Sequence, residues 1–381
     1  MNRILIIGGG LQALSVARSL KEGGCHVIAL LREDDYSTCS KSINTLFTTL
    51  ASPLKNNEYL DKLLSVLKET PVDVIIPLSD ATAEFLSIHK ELIEHKYSVK
   101  CAIPSIDIFE KANDKWKLLN LCEQNDLPHP RTRKINTNTL EEIAKYVEFP
   151  ALIKPNISVG ARGITMVRSL DELKQKYTSI INQYGESTLQ EFIDNGGAPY
   201  YNVMLYRNAF GEIVNSVVLK IIRYYPINGG SSSYGVTIEC DELVEICKRC
   251  LDVLKWEGFA DFDVLQTIEG EFKIIEINPR VPASLRAAEV SGVNFPMIIV
   301  NELLKITYTP FKYKPHKQLR YLGLDIMWFM ASDKRFRVTP CWFKFFGKDL
   351  YYQEKGAMFS SLISGLKKIL SPSFRKSKKG I

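Results

Sequence analysis

An α/β unit followed by an α+β unit is the fold class this sequence predicts, on three observations. The first hundred residues alternate short buried apolar runs with amphipathic ones, the rhythm of a doubly wound parallel half-sheet. From about residue 149 onward, apolar runs are joined in pairs by turns rich in Gly and Asn, the rhythm of antiparallel hairpins. At 381 residues the chain is too long for one ordinary core, so two or three domains are expected.

Taken in order, Arg3–Ile7 reads as a buried strand and Leu11–Gly23 as a helix opened by the loop Gly8-Gly-Gly10. His26–Leu31 is a second strand and Tyr59–Glu69 a helix. Val72–Pro77 is a third strand, Ala81–His95 a helix and Lys100–Pro104 a fourth strand. The start resembles a signal peptide, but it breaks at the glycines and resumes as an amphipathic helix, which suits a first strand better. Gly8-Gly-Gly10-Leu-Gln-Ala13 fits the dinucleotide fingerprint G-x-G-x-x-A. Alone it is a weak signal. The second strand ends Leu30-Leu31-Arg32-Glu33, with no acidic residue cleanly placed for a ribose, so a tight strand-to-helix turn is the simpler reading.

Composition excludes several classes. With 45% hydrophobic and 24% charged residues the chain is of soluble globular type. No apolar run approaches the length that spans a bilayer. Net charge is +6, but from Lys348 to Ile381 eight Lys or Arg stand against Asp349 and Glu354. The body is therefore near neutral and offers no nucleic-acid groove. The eight cysteines are dispersed, which favours a reducing, cytoplasmic setting. Cys247 and Cys250 form a C-x-x-C inside the predicted helix Asp241–Trp256, where they fit a buried stripe better than a zinc set.

Beyond Phe109 the texture changes. Asn113–Asp126 is a helix opened by a polar cap. Phe149–Pro155 is a short buried strand carrying Lys154, and it runs into the small, Gly-rich segment Asn156–Gly163 and the strand Ile164–Arg168. Such a loop can fold its N–H groups over polyphosphate, although the spacing is not that of a Walker A motif. The ordinary alternative is a hairpin tip. Thr188–Ile193 is a short strand, Tyr200–Tyr206 and Ile213–Ile222 pair around a turn, and Asn228–Ser233 reads as a loop. Lys220 and Arg223 lie near the end of the second of these strands.

The run Lys273-Ile-Ile-Glu-Ile-Asn-Pro-Arg280 carries the most information. Its alternation sends Glu276, Asn278 and Arg280 to one face, with Ile275 and Ile277 on the other. A carboxylate, an amide oxygen and a guanidinium on one face suit a place where Mg²⁺ meets phosphate oxygens. Upstream, Asp261 and Asp263 share a face of Ala260–Asp263, and Glu269-Gly-Glu271 joins the two strands as a hairpin. A surface hairpin with ordinary charges is the bland alternative.

The order of these motifs resembles the ATP-grasp superfamily, especially its carbamoyl-phosphate-synthase-like and biotin-carboxylase-like ligases. Asn113-Asp-Lys115, Ile153-Lys-Pro155 with its Gly loop, Gln190-Glu-Phe-Ile193 and Glu276-Ile-Asn-Pro-Arg280 agree in sequence order. The resemblance covers roughly Met1 to Leu304. It implies a Rossmann-like pre-ATP-grasp domain over 1–110, an ATP-grasp domain over 111–306 with a small lobe at about 128–195, and a C-terminal extension over 307–381. It implies ATP and Mg²⁺ (or Mn²⁺) as cofactors. Lys115 and Lys154 would meet the phosphates, Ser158, Gly160, Arg162 and Gly163 the lid over them, and Glu191, Phe192 and Ile193 the adenine. Asp263, Glu276 and Asn278 would hold metal, with Asp261 a rival to Asp263, and Arg280, Lys220 and Arg223 would serve the reaction. One departure is that Ala198-Pro-Tyr-Tyr201 lacks the acidic residue that takes the ribose in many members.

The implied reaction is activation of a substrate carboxylate as an acyl phosphate, followed by attack of an amine or similar nucleophile, in amino-acid or cell-surface polysaccharide metabolism. Small molecules are the expected partners, nucleic acid is not, and a homodimer is admissible. Arg223, the Ser231–Ser233 loop, Arg280, Ser284 and Arg286 are candidates for gripping a carboxylate, and Val281–Arg286 should line the acceptor side. Two other classes remain: an ATP-binding sensor or scaffold without chemistry, and a nicotinamide-dependent oxidoreductase using Gly8–Ala13. In the extension, Gly323–Met330 and Arg335–Val338 suggest strands, and Met358–Leu370 is an amphipathic helix ahead of the basic end. That end can lie on an anionic membrane or form a docked helix with a solvated tail.

Overall fold

The computed structural model of the chain describes residues 1–54, 57–158, 163–194, 199–227 and 230–343. The first unit alternates β1 (Arg3–Ile7), α1 (Leu11–Glu22), β2 (His26–Arg32), β3 (Thr45–Thr49), α2 (Asn57–Glu69), β4 (Val74–Pro77), α3 (Asp80–Tyr97) and β5 (Lys100–Cys101). Its strands form a parallel sheet in the order β3-β2-β1-β4-β5. Ile4 to Ile7 are wholly buried because both faces of a parallel sheet are covered by helices. Strand β3 escaped the sequence reading because Thr45–Thr49 is half-buried and shows no clean apolar alternation. The fourth predicted strand shrinks to Lys100–Cys101.

Helices α4 (Ile106–Asn113) and α5 (Lys115–Gln124) lead into a small lobe. Asp114 separates them and caps α5, its carboxylate accepting from the Lys117 amide at 2.9 Å. The lobe contains β6 (Thr132–Lys134), α6 (Leu140–Val147), β7 (Ala151–Pro155), β8 (Thr165–Val167), α7 (Leu170–Tyr184) and β9 (Ser187–Glu191). Its sheet runs β6-β9-β7-β8. Ile153 and Leu189 face its helices, which turns Lys154 and Gln190 to the opposite face.

The large antiparallel sheet runs β14-β13-β10-β11-β12-β15. It is built from β10 (Tyr200–Arg207), β11 (Ile213–Tyr225), β12 (Ser231–Ile238), β13 (Gly258–Gln266), β14 (Phe272–Asn278) and β15 (Gln318–Arg320). Helix α8 (Asp241–Leu254) covers one face, where Cys247 and Cys250 join Tyr201, Val203, Phe262 and Val264 in one core. Both cysteines are the buried helical stripe the sequence predicts. At one end of the other face, Met204 and Val217 pack with α1, α9 (Arg286–Val290) and α10 (Phe295–Leu304). First unit and large sheet thus share a core, which brings the start of α3 to the end of β14.

Gly323–Met330, predicted as a strand, is α11 (Leu322–Ala331). Its only charged residue, Asp325, is buried, so the run has no polar period to read and strand and helix were indistinguishable there. Arg335–Val338 is not a strand either. The amphipathic segment Met358–Leu370 and the basic end lie outside the described residues. Among those described, no helix is long and apolar enough to cross a membrane.

Candidate active site

The register of the hairpin sets the acidic residues. Asp261 pairs with Asn278 and Asp263 with Glu276. A bulge falls at Ile275, so Ile274 and Ile277, rather than Ile275 and Ile277, enter the core, while Glu276 and Asn278 keep one face. Asn278 Nδ2 donates to Asp261 at 3.2 Å and to Asp263 at 3.5 Å. Asn202 on β10 also donates to Asp263, and the Ser284 hydroxyl lies 3.4 Å from Asn202 Oδ1. Asp261 rivals Asp263 in space as it did in the sequence.

Two lysines close on this face. Lys115 Nζ lies 3.1 Å from Glu276 Oε2, and its backbone amide donates to Asn156 O at 3.0 Å. Burial pushes the Lys154 ammonium down to about 8, although Glu276 and Asp263 pull the other way. Burial opposes ionisation of Glu276 too, but Lys115, the hydrogen bond with Asp263 and Lys154 together hold the carboxyl at about 2. Asp261 rises to about 8 through burial, which Arg280 only partly offsets. Burial, then Glu276 and Asp261, drive Asp263 well above the ordinary range. The face therefore gathers three carboxylates, two of them pushed toward the neutral acid, beside Lys115 and Lys154.

Arg280 lies two residues beyond the end of β14. Its Nε donates to Asp80 Oδ1 at 2.9 Å and its Nη2 to Asn278 Oδ1 at 3.2 Å. Asp80 opens α3 just after Ser79, whose side chain forms a reciprocal cap with Thr82. Sequence reasoning missed Asp80, Asn156 and Asn202. For two of them a signal was available: Asn156 directly follows Ile153-Lys-Pro155, and Asn202 lies across from Asp263; Asp80 offered none.

Not every candidate converges. Lys220 pairs with Tyr201 and shares its face with Val218, the face opposite Asp263. Arg223 is also turned away, because the bulge at Ile222 pairs it with Tyr234. Its guanidinium is held by Asp325 at 2.7 and 2.9 Å. Ser233 belongs to β12, not to a loop, and bonds Asp325 at 3.2 Å. Arg286 pairs with Glu289 one turn on. The Glu191 carboxylate accepts from the Arg131 amide at 3.0 Å and pairs with its guanidinium at 3.2 Å. The N–H of Phe192 donates to Pro150 O at 3.3 Å, and Ile193 follows in irregular backbone. Ser158 and Gly163 flank the Gly-rich segment. Gly163, with φ of +76°, packs so that a Cβ would come within 2.7 Å of Pro155. Gly160 and Arg162 lie outside the described residues.

The glycine loop of the first unit holds the chain's own carboxylate. Asp35 Oδ1 accepts from the Gly10 amide at 3.1 Å and from the Ser37 amide at 2.8 Å. A Cβ at Gly9 would lie 2.1 Å from Asp35 Oδ2. An acidic side chain thus occupies the Gly10 N–H and stands against Gly9, where a dinucleotide phosphate would approach.

Mg²⁺ takes a few carboxylates and leaves the rest of its shell to phosphate oxygens and water. Among the described residues no three His, Cys, Asp or Glu form a ready-made metal cage. Asp261 Oδ1 and both polar side-chain atoms of Asn156 are buried without a hydrogen-bond partner. Hard oxygen donors on one face and the unmet acceptor of Asp261 fit a divalent cation shared with a bound polyphosphate.

Residues 112–284 match the family described as ATP-grasp domain. The chain is 25% identical over 332 residues to the carbamoyl phosphate synthase large chain of Pyrococcus furiosus, covering 81% of this chain and 31% of that protein. It spans about a third of the length of the first such relatives. To the D-aspartate ligase of Enterococcus faecium it is 21% identical over 326 residues, covering 78% of this chain and 76% of the other. Among solved structures, a biotin carboxylase complex from Campylobacter jejuni superposes with a TM-score of 0.68 at 18% identity, over 83% of this chain and 74% of that one. The match to the ATP-grasp family is thus confined to residues 112–284, and the fold of the chain is shared with these solved structures.

Proposed function

We propose that this ATP-grasp protein is an ATP- and Mg²⁺-dependent ligase that activates a substrate carboxylate as an acyl phosphate and joins it to an amine or similar nucleophile. The observation that carries this reading is convergence: Lys115, Glu276, Asp261, Asp263, Asn278 and Arg280 meet on one sheet face, with Lys154 close enough to feel Glu276 and Asp263. The name of the D-aspartate ligase, matched over most of both chains, agrees with carboxylate–amine ligation.

Each residue has work suited to its chemistry. Lys115 and Lys154 would bind the phosphates. The segment from Ser158 to Gly163 would cover them and exclude water, which an acyl phosphate does not survive. Glu191, whose side chain is engaged by Arg131, would hold the interlobe connection while the backbone to Ile193 borders adenine. Asp263, Glu276 and Asn278, with Asp261 behind, would hold Mg²⁺ or Mn²⁺. Bound there, the metal supplies charge neutralisation and orientation of phosphate oxygens. The substrate carboxylate attacks the γ-phosphorus in line, ADP departs, and the amine then displaces phosphate from the acyl carbon. Arg280 lies where it can steady the transferring phosphoryl group, and no protein nucleophile is required.

Phosphate release from ATP and Mg²⁺ across a panel of amino acids and sugar acids tests this reading, with Glu276→Ala as control. Release that needs both a carboxylate and an amine, and that falls about a hundredfold or more in the variant, supports it. Nucleotide binding without release for any acceptor would instead point to an ATP-binding sensor or scaffold.

A further inference from the structure

Helix α11 has its polarity reversed. Asp325 is its only charged residue and is wholly buried, facing Arg223 on β11. The outward side shows Leu322, Ile326 and Met330, spaced four apart and 41, 43 and 67% exposed. A surface helix of a globular domain ordinarily places polar side chains there. The apolar strip continues into Phe336 and Phe343, which are 72 and 51% exposed and stack at 6.3 Å between ring centroids. An apolar patch kept on the outside by the fold marks a surface that meets something else.

Charge says what that is. Between Ser332 and Phe343 the chain carries Lys334, Arg335 and Arg337 against Asp333 alone. Beyond it, from Lys348 to Ile381, stand eight Lys or Arg against two acids. Aliphatic and aromatic side chains framed by cations are the composition of elements that lie in the interface of an anionic bilayer. At 10 residues, α11 is far too short to span one. We propose that the outward face of α11, with Phe336 and Phe343, docks the protein onto an anionic lipid surface. This surface is independent of the ligase reading. Among the groups near it, Arg223, Arg320 and Asp325 are fixed in a buried cluster beneath the helix, so the docking face itself is apolar.

Flotation with vesicles decides it. The full chain is mixed at low salt with vesicles of phosphatidylcholine alone, or of phosphatidylcholine and phosphatidylserine in equal parts. The expected result is flotation with the anionic vesicles only, reduced at least about tenfold in I326E/M330E. The melting temperature of that variant checks its fold, and Phe336→Ser, at a more exposed position, makes the same comparison should the first variant melt early. Three results would overturn the proposal: no flotation of the unaltered chain; equal flotation of the variants, meaning the basic end acts alone; or a dimer broken by I326E/M330E without flotation, meaning the face joins two copies.

Discussion

Arg280 Nε stands 2.9 Å from Asp80 Oδ1, an ion pair that ties the end of β14 to the first turn of α3 across 200 residues of sequence. The first unit therefore helps aim a guanidinium beside the acidic face of β13 and β14. Asp80 is a positioning residue in this account. Asp80→Asn is expected to lower kcat about tenfold with little change in KM for ATP, because the donor stays but its aim loosens. In a double-mutant cycle, Asp80→Ala should cost almost nothing once Arg280 is already Ala. Additive losses would contradict the link.

The Arg223–Asp325–Arg320 cluster predicts a stability effect. Asp325 accepts from Arg223 at 2.7 and 2.9 Å and from Arg320 at 2.6 Å, all three residues buried. Tyr234 and Trp328 stack on Arg223. Removing the carboxylate strands two guanidinium groups, so Asp325→Ala should cost about 3–5 kcal/mol in urea unfolding. Arg223→Met should lower stability less and leave kcat and the KM for the carboxylate substrate of the folded protein unchanged. A large loss in either for that variant would restore Arg223 to the site.

Much of the acidic face was legible in the sequence because strand parity is local. Alternation puts Glu276 with Asn278 on one strand and Asp261 with Asp263 on the other, and the pairing of Asp263 with Glu276 brings the two sets together. Lys220 and Arg223 were misjudged for the complementary reason. Which face of a sheet a strand presents depends on its neighbours' register, and a single bulged residue, Ile222, reverses the side chains that follow it. Asp80 was invisible because its partner is 200 residues away. Helix α11 was misread because its only polar residue, Asp325, is a buried one, which removed the period a surface helix would show.

The glycine loop gives a ligand prediction. With Asp35 on the Gly10 amide, NADH should show no saturable fluorescence change with the unaltered protein. Gly9→Ala should destabilise by about 1–3 kcal/mol, since its Cβ would collide with the Asp35 carboxylate. Tight NADH binding would contradict the plugged loop.

Glu123 gives a pH prediction. Its carboxylate accepts from Arg133 at 2.7 and 3.0 Å and from the Tyr146 hydroxyl at 2.7 Å, joining α5 to the small lobe. The Arg133 hydrogen bond holds its pKa below the usual range against partial burial, with Tyr146 assisting. A folded-state pKa lowered in this way stabilises above the ordinary carboxylate value and ceases to do so as pH falls through the folded one. The site is partly exposed, so the effect is about 1 kcal/mol or less. Glu123→Gln should melt below the unaltered protein at neutral pH, and the gap should close on acidification to about pH 3. A gap independent of pH would contradict the assignment.

The most direct measurement follows an oxygen atom. With the acid that triggers phosphate release labelled by heavy oxygen in its carboxylate, an acyl phosphate must hand one labelled oxygen to the phosphate when the amine displaces it. The account predicts labelled phosphate, ADP as the other product, and loss of both in Glu276→Ala. Unlabelled phosphate, or cleavage of ATP to AMP and pyrophosphate, would contradict it.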